Sequence, residues 1–105
     1  MDKKTKVILN ELKDTLEKNV PLKSLVLFGS RARNDYDRDS DLDVLVVVDK
    51  LTREIGQIIS ECAWRVSFKH GVVIVPIAYY RHDWENGPER FSLLASAVKR
   101  EGIPI

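Results

Sequence analysis

Asp41 and Asp43 are the residues of this sequence best placed to do chemistry. They lead into an apolar run, Val44-Leu-Val-Val-Val48, that reads as a buried strand. Side chains alternate faces along a strand, so the two carboxylates project from one side while Leu42 and Val44 point the other way, into a core. Two carboxylates one pleat apart repel each other unless a cation sits between them. Hard oxygen ligands suit Mg2+, which commonly keeps substrate phosphates as further ligands. Upstream, Leu25-Val-Leu-Phe28 reads as a second short buried strand closed by Gly29, with Ser30 starting a helical turn and Arg31 and Arg33 close behind. Exposed backbone N–H groups at such a turn favour an anion, and the glycine lets a phosphate approach the backbone. A phosphate-favouring turn facing a carboxylate pair describes a metal–nucleotide site.

At these residues the sequence resembles the minimal nucleotidyltransferases of the DNA polymerase beta superfamily. Their signature is Gly-Ser, a spacer of about ten residues, then Asp-x-Asp. Here Gly29-Ser30 is followed by the ten residues Arg31 to Ser40 and then by Asp41-Leu42-Asp43. Phe28, Arg31-Ala32-Arg33 and Ser40 match as well, and the resemblance covers essentially the whole chain.

The resemblance implies two-metal catalysis, with Asp41 and Asp43 as catalytic residues and Mg2+ ligands. It implies nucleotide binding by Gly29, Ser30, Arg31 and Arg33, with Ser30 on the triphosphate and the arginines as phosphate-side donors. The implied reaction moves a nucleoside monophosphate, AMP from Mg-ATP, to a hydroxyl on a partner protein. The implied partner is a small helical protein of the HEPN class, with this chain as the antitoxin of a toxin–antitoxin pair. One departure matters. Active members place a third carboxylate on the strand after the central helix, where Val72-Val-Ile-Val-Pro-Ile-Ala-Tyr79 carries no acid. An aspartate would be expected near Ile74 or Val75; Asp83 and Glu85 could stand in only if the backbone folds back. A second reading therefore remains open: a catalytically weak nucleotide-binding module that regulates a helical partner by contact.

Composition narrows the alternatives. A chain of 105 residues is expected to form one domain, residues 1–105, with a single core. Apolar residues make up 44% and charged residues 31%, an ordinary soluble mixture. With a formal net charge of +1 and no basic stripe, nucleic-acid binding is disfavoured, and there is no electrostatic case for a membrane partner. A second copy of the chain stays open as a partner. Cys62 is alone, which excludes an intramolecular disulfide and a cysteine metal site. Lys3, Lys4 and Lys6 are not followed by an uninterrupted apolar segment, and no run approaches a membrane span, so a cytoplasmic protein without a signal peptide is expected.

The positioning elements follow from periodicity. Ile8, Leu12 and Leu16, flanked by Val7 and Leu9, predict a helix over 5–19 that Pro21 stops. Thr52 caps a second helix through about Lys69, with Ile55, Ile58, Ile59, Cys62 and Val66 as its buried stripe and His70-Gly71 as its end. Cys62 on that stripe reads as a packed, inert thiol, and His70 as a favourable charge at the helix end. Trp64 and Arg65 lie off the stripe, as part of a partner surface would. Val72 to Tyr80 is the third strand, where Pro76 requires an edge position or a bulge and Tyr79 and Tyr80 face opposite ways. Trp84 to Gly87 reads as a turn, followed by a last helix with Pro88 in its first turn and Phe91, Leu94, Ala95 and Val98 buried. The tail Gly102-Ile-Pro-Ile105 is short and apolar. Asp35, Asp37 and Asp39 extend an alternating acidic pattern, but an EF-hand begun at Asp37 would need glycine at Leu42 and glutamate at Val48. Strands separated by helices give an α/β (α+β) layer structure. The resemblance sharpens it to a small mixed β-sheet packed with helices, the nucleotidyltransferase (polymerase beta-like) fold.

Overall fold

The structure is a computed structural model that describes residues 1–33, 40–88 and 92–105. The first helix, α1, runs over Lys3–Asn19. Asp2 caps it, its carboxylate accepting the Thr5 N–H at 2.7 Å, a donor that the helix itself leaves without a partner. Ile8, Leu9, Leu12 and Leu16 are buried, whereas Val7 faces solvent. The chain continues through β1 (Leu22–Phe28), a single helical turn α2 (Ser30–Arg33), β2 (Leu42–Val48) and the long helix α3 (Arg53–His70). Thr52 caps α3 through its hydroxyl, which accepts the Ile55 N–H, and Gly71 ends it in the left-handed region at φ 65°. Then come β3 (Ile74–Tyr80), α4 (Arg81–Asn86), α5 (Leu93–Glu101) and β4 (Ile103–Pro104). No helix among the described residues is long and apolar enough to cross a membrane.

The four strands form one mixed sheet in the order β3-β2-β1-β4. β1 pairs antiparallel with β2 and β4, and β2 pairs parallel with β3. From Val44 to Val48, β2 is an unbroken apolar run because both of its faces are covered there. On one face Leu42, Val44, Val46 and Val48 join Leu25, Leu27 and Ile74 under α1 and α3. On the other, Leu45, Val47 and Phe28 meet Ile77, Tyr79, Trp84, Leu94 and Val98, so α4 and α5 form a thinner second layer. β3 lies at the sheet edge, where Pro76 lacks only a ladder donor that no outer strand needs. Tyr79 packs inward on Trp84 with ring centroids 5.0 Å apart, while Tyr80 faces out.

Two expectations are corrected. Residues 84–87 are not a simple turn: a two-turn helix, α4, spans Arg81–Asn86 and is held to the sheet through Trp84. The last helix does not begin at Pro88. Its cap is Ser92, whose hydroxyl accepts the Ala95 N–H at 3.1 Å, and helix follows from Leu93. Phe91, expected on its buried face, lies outside the described residues, as do Asp35, Asp37 and Asp39. The apolar tail is a strand, with Ile103 opposite Leu27 and Pro104 opposite Val26. Two residues are too few to show a period; the free edge of β1 makes them a strand.

His70 does more than close a helix. With Lys69 it holds Glu11 of α1, the lysine at 2.5 Å, fastening the two core helices together. These hydrogen bonds to His70 and Lys69 hold the Glu11 carboxyl below its ordinary pKa. A lowered folded-state pKa adds stability above the unfolded value, and that stability is lost as pH falls through the folded one. Glu11→Gln should therefore destabilise the fold at pH 6, by under about 1 kcal/mol for a surface pair, and lower its melting temperature. In melts followed by circular dichroism, the gap to wild type should close as the pH falls through the lowered folded-state pKa of Glu11, below which it is protonated in both states.

Candidate active site

The antiparallel pairing of β1 with β2 places Phe28 opposite Asp43. The turn that follows Phe28 is thereby set beside the carboxylates that precede and open β2. Gly29 stands there with φ at 80°, a conformation that side-chain-bearing residues rarely adopt. A Cβ at this position would lie 2.5 Å from Asp43 Oδ2, so the glycine is required by space as well as by conformation. The Ala32 and Arg33 N–H groups close the first turn of α2 onto the Gly29 carbonyl, both at 3.1 Å.

Asp43 alternates with its neighbours as a strand residue should. Leu42 and Val44 are fully buried on the α1–α3 face, whereas Asp43 is half-buried on the other and Asp41 is exposed. Burial pushes the Asp43 carboxyl above its ordinary pKa, and the negative charge of Asp41 pushes it further. Two adjacent hard oxygen ligands of like charge fit a divalent cation, which would relieve their repulsion. No group of three or more His, Cys, Asp or Glu residues converges among the described residues, so the described site is a carboxylate pair.

The place where a third carboxylate would sit can be located. Register partners in a parallel ladder share a face, and Asp43 is in register with Val75, which is partly exposed. Ile74 points to the opposite face and is buried in the core. Position 75 is the seat, and it holds valine. Asp83 and Glu85 do not stand in for it. They follow Tyr80, which lies opposite Val48, about 16 Å of strand away from the Asp43 end. There Arg81 engages Asp49 at 3.1 Å and approaches Glu85 at 3.9 Å.

The two arginines have different surroundings. Arg31 is 7% exposed. Its Nη2 donates to the Thr5 hydroxyl at 2.6 Å and its Nη1 to the Ser40 carbonyl at 2.9 Å, with the Asp2 carboxylate 4.0 Å away. In this arrangement Arg31 ties α2 to α1 and holds the residue before Asp41. Arg33 is half-exposed and pairs with Glu101 of α5 at 3.1 Å. Thr5, Asp2 and Glu101 are thus supports that motif reading passes over. One weak signal existed: Thr5 precedes Ile8, Leu9 and Leu12 on the apolar stripe of α1, a place for a polar side chain with a buried partner.

A family model described as "Nucleotidyltransferase domain" matches residues 9–100. The chain belongs to the nucleotidyltransferase family. Two Methanocaldococcus jannaschii proteins are similar to it, both carrying the name "Putative protein adenylyltransferase". The nucleotidyltransferase is 44% identical to MJ0141 over 69 residues, which is 65% of this chain and 64% of that protein. It is 37% identical to MJ0604 over 73 residues, 70% of this chain and 67% of that protein. The matches thus span about two thirds of the curated relatives' length. Among solved structures, one described as a "putative minimal nucleotidyltransferase" superimposes over all of this chain and 97% of its own, with a TM-score of 0.66 and 21% identity. A toxin–antitoxin complex crystallised with AMP-PNP matches with a TM-score of 0.66 over 90% of this chain and 69% of its own, at 20% identity. The MntA-HepT toxin–antitoxin matches with a TM-score of 0.61 over 94% of this chain and 69% of its own, at 19% identity. At such identities these likenesses establish the fold of the nucleotidyltransferase.

Two outcomes follow from the geometry. Gly29→Ala should cost about 1–3 kcal/mol for the left-handed backbone alone and should abolish Mg-dependent ATP binding in calorimetric titration, because the new methyl displaces Asp43. Asp43→Asn should do the opposite to stability. A carboxyl with a raised folded-state pKa contributes stability that is present below the unfolded pKa and lost as pH rises through the folded one. The asparagine variant should melt higher than wild type at neutral pH, and the advantage should fade below about pH 4.

Proposed function

We propose that this nucleotidyltransferase transfers AMP from Mg-ATP to a hydroxyl of a partner protein. The observation that carries the proposal is the approach of the Gly29 turn to the Asp43 carboxylate, which sets a phosphate-favouring backbone against a cation-favouring pair. The adenylyltransferase name carried by the relatives that are 44% and 37% identical supports the same chemistry. In this reading Asp41 and Asp43 hold the metal, which when bound offsets the triphosphate charge. Gly29 and Ser30 present backbone N–H groups to the phosphates. Arg33, half-exposed at the same turn, is the phosphate-side cation, and Arg31 keeps the turn in place. The acceptor oxygen bonds to the α-phosphorus, pyrophosphate leaves, and the hydroxyl proton passes to water, since position 75 offers no carboxylate to take it.

A small helical HEPN-type protein is the proposed partner, with this chain as the antitoxin. The fold shared with the MntA-HepT toxin–antitoxin supports that assignment. Valine at the third-carboxylate seat favours a second reading, a nucleotide-binding module that controls its partner by contact. Intact-mass spectrometry of the co-expressed partner after incubation with Mg-ATP separates the readings. The expected result is a gain of one or more adenylyl masses, lost in the Asp41→Asn/Asp43→Asn variant. Mg-dependent ATP binding without a mass gain would leave the regulatory module. Absence of both would remove the assigned site.

A further inference from the structure

Helix α3 buries one side and leaves the other uncovered. Ile59, Cys62, Ala63 and Val66 face the core. Trp64 and Phe68, by contrast, are 65% and 77% exposed, their rings stacked with centroids 5.4 Å apart. They form an apolar ledge over a hollow of about 650 Å³, whose walls include Ala63, Val73, Ile74 and Pro76. Toward the helix start the same surface drops to smaller groups, where a second hollow of about 670 Å³ is lined by Arg53, Gly56, Gln57, Ser60 and Glu61. Glycine weakens a helix interior, and a Cβ at Gly56 would meet nothing within 4 Å. No contact among the described residues requires it.

We propose that a second copy of this chain docks here, the two α3 helices lying antiparallel about a two-fold axis at the level of Cys62. Trp64 and Ser60 stand at equal distances on either side of that level, and so do Phe68 and Gly56. The axis therefore lays the ledge of each copy over the low half of the other, the self-complementarity that a two-fold interface needs. Charge selects the same occupant. Glu61 and Arg65 are exposed, four residues apart, and share one flank of the helix. Antiparallel helices bring like flanks together, so Glu61 of each copy meets Arg65 of the other. The area is adequate as well. At their exposures the two rings offer roughly 300 Å², more than a third of the ~800 Å² that each partner buries in a standard interface.

Sedimentation velocity of the full chain tests the interface. Wild type should sediment as a dimer, and Trp64→Ala/Phe68→Ala should weaken dimerisation at least about tenfold while leaving the melting temperature intact. Glu61→Arg sets like charges across the axis and should give monomers; adding Arg65→Glu to it should restore the dimer. A wild-type monomer at millimolar concentration overturns the proposal. So does a dimer indifferent to Glu61→Arg, or one that Arg65→Glu fails to restore.

Discussion

Everything the site can do depends on the register between β1 and β2. The pairing of Phe28 with Asp43 turns a ten-residue gap in sequence into a contact between a glycine turn and a carboxylate. Strand side chains alternate, so a slip of one residue would send Asp43 into the α1–α3 core and expose Val44. What prevents the slip is the burial of β2 on both faces. Leu42, Val44, Val46 and Val48 are locked under the helices on one side and Leu45 and Val47 on the other. The apolar run after the motif is thus the ruler that places the carboxylate as well as the core of the molecule.

The same arrangement opposes stability locally. Asp43 holds its charge where burial and Asp41 both disfavour it, and Gly29 adopts a backbone that only glycine takes easily. Such groups persist because the surrounding structure over-determines them. Here the surroundings include two struts on α2: Arg31 reaches Thr5 and Ser40, and Arg33 reaches Glu101. A single turn of helix has little stability of its own, so its position is set by these contacts with α1 and α5. The strain is concentrated at the Gly29 turn, and its supports lie one layer away.

Local signals explain why much of this was legible in the sequence. The Gly29-Ser30 and Asp41-Leu42-Asp43 elements stand in strand contexts that apolar runs mark directly. The caps at Thr52 and Gly71 and the edge position of Pro76 are single-residue statements about backbone chemistry, and each holds in the fold. What could not be read has in each case a distant partner. β4 exists because β1 has a free edge, and α4 because Trp84 reaches Tyr79. Arg31 looks like any arginine beside a glycine turn until Thr5, 26 residues earlier, is seen to accept its hydrogen bond. No period or motif records a contact of that kind.

The sheet edge also separates two kinds of surface. Asp43 and Val75 share the face covered only in part by α4 and α5, and the ladder places that open end beside the glycine turn. The apolar trough along α3 lies over the opposite face, where Ile74 and Pro76 form its floor. A pair of chains joined along α3 would therefore keep both carboxylate pairs turned outward. The exposed Asp41 and the partly exposed Val75 would lie at the rim of each, on the face that α3 does not cover.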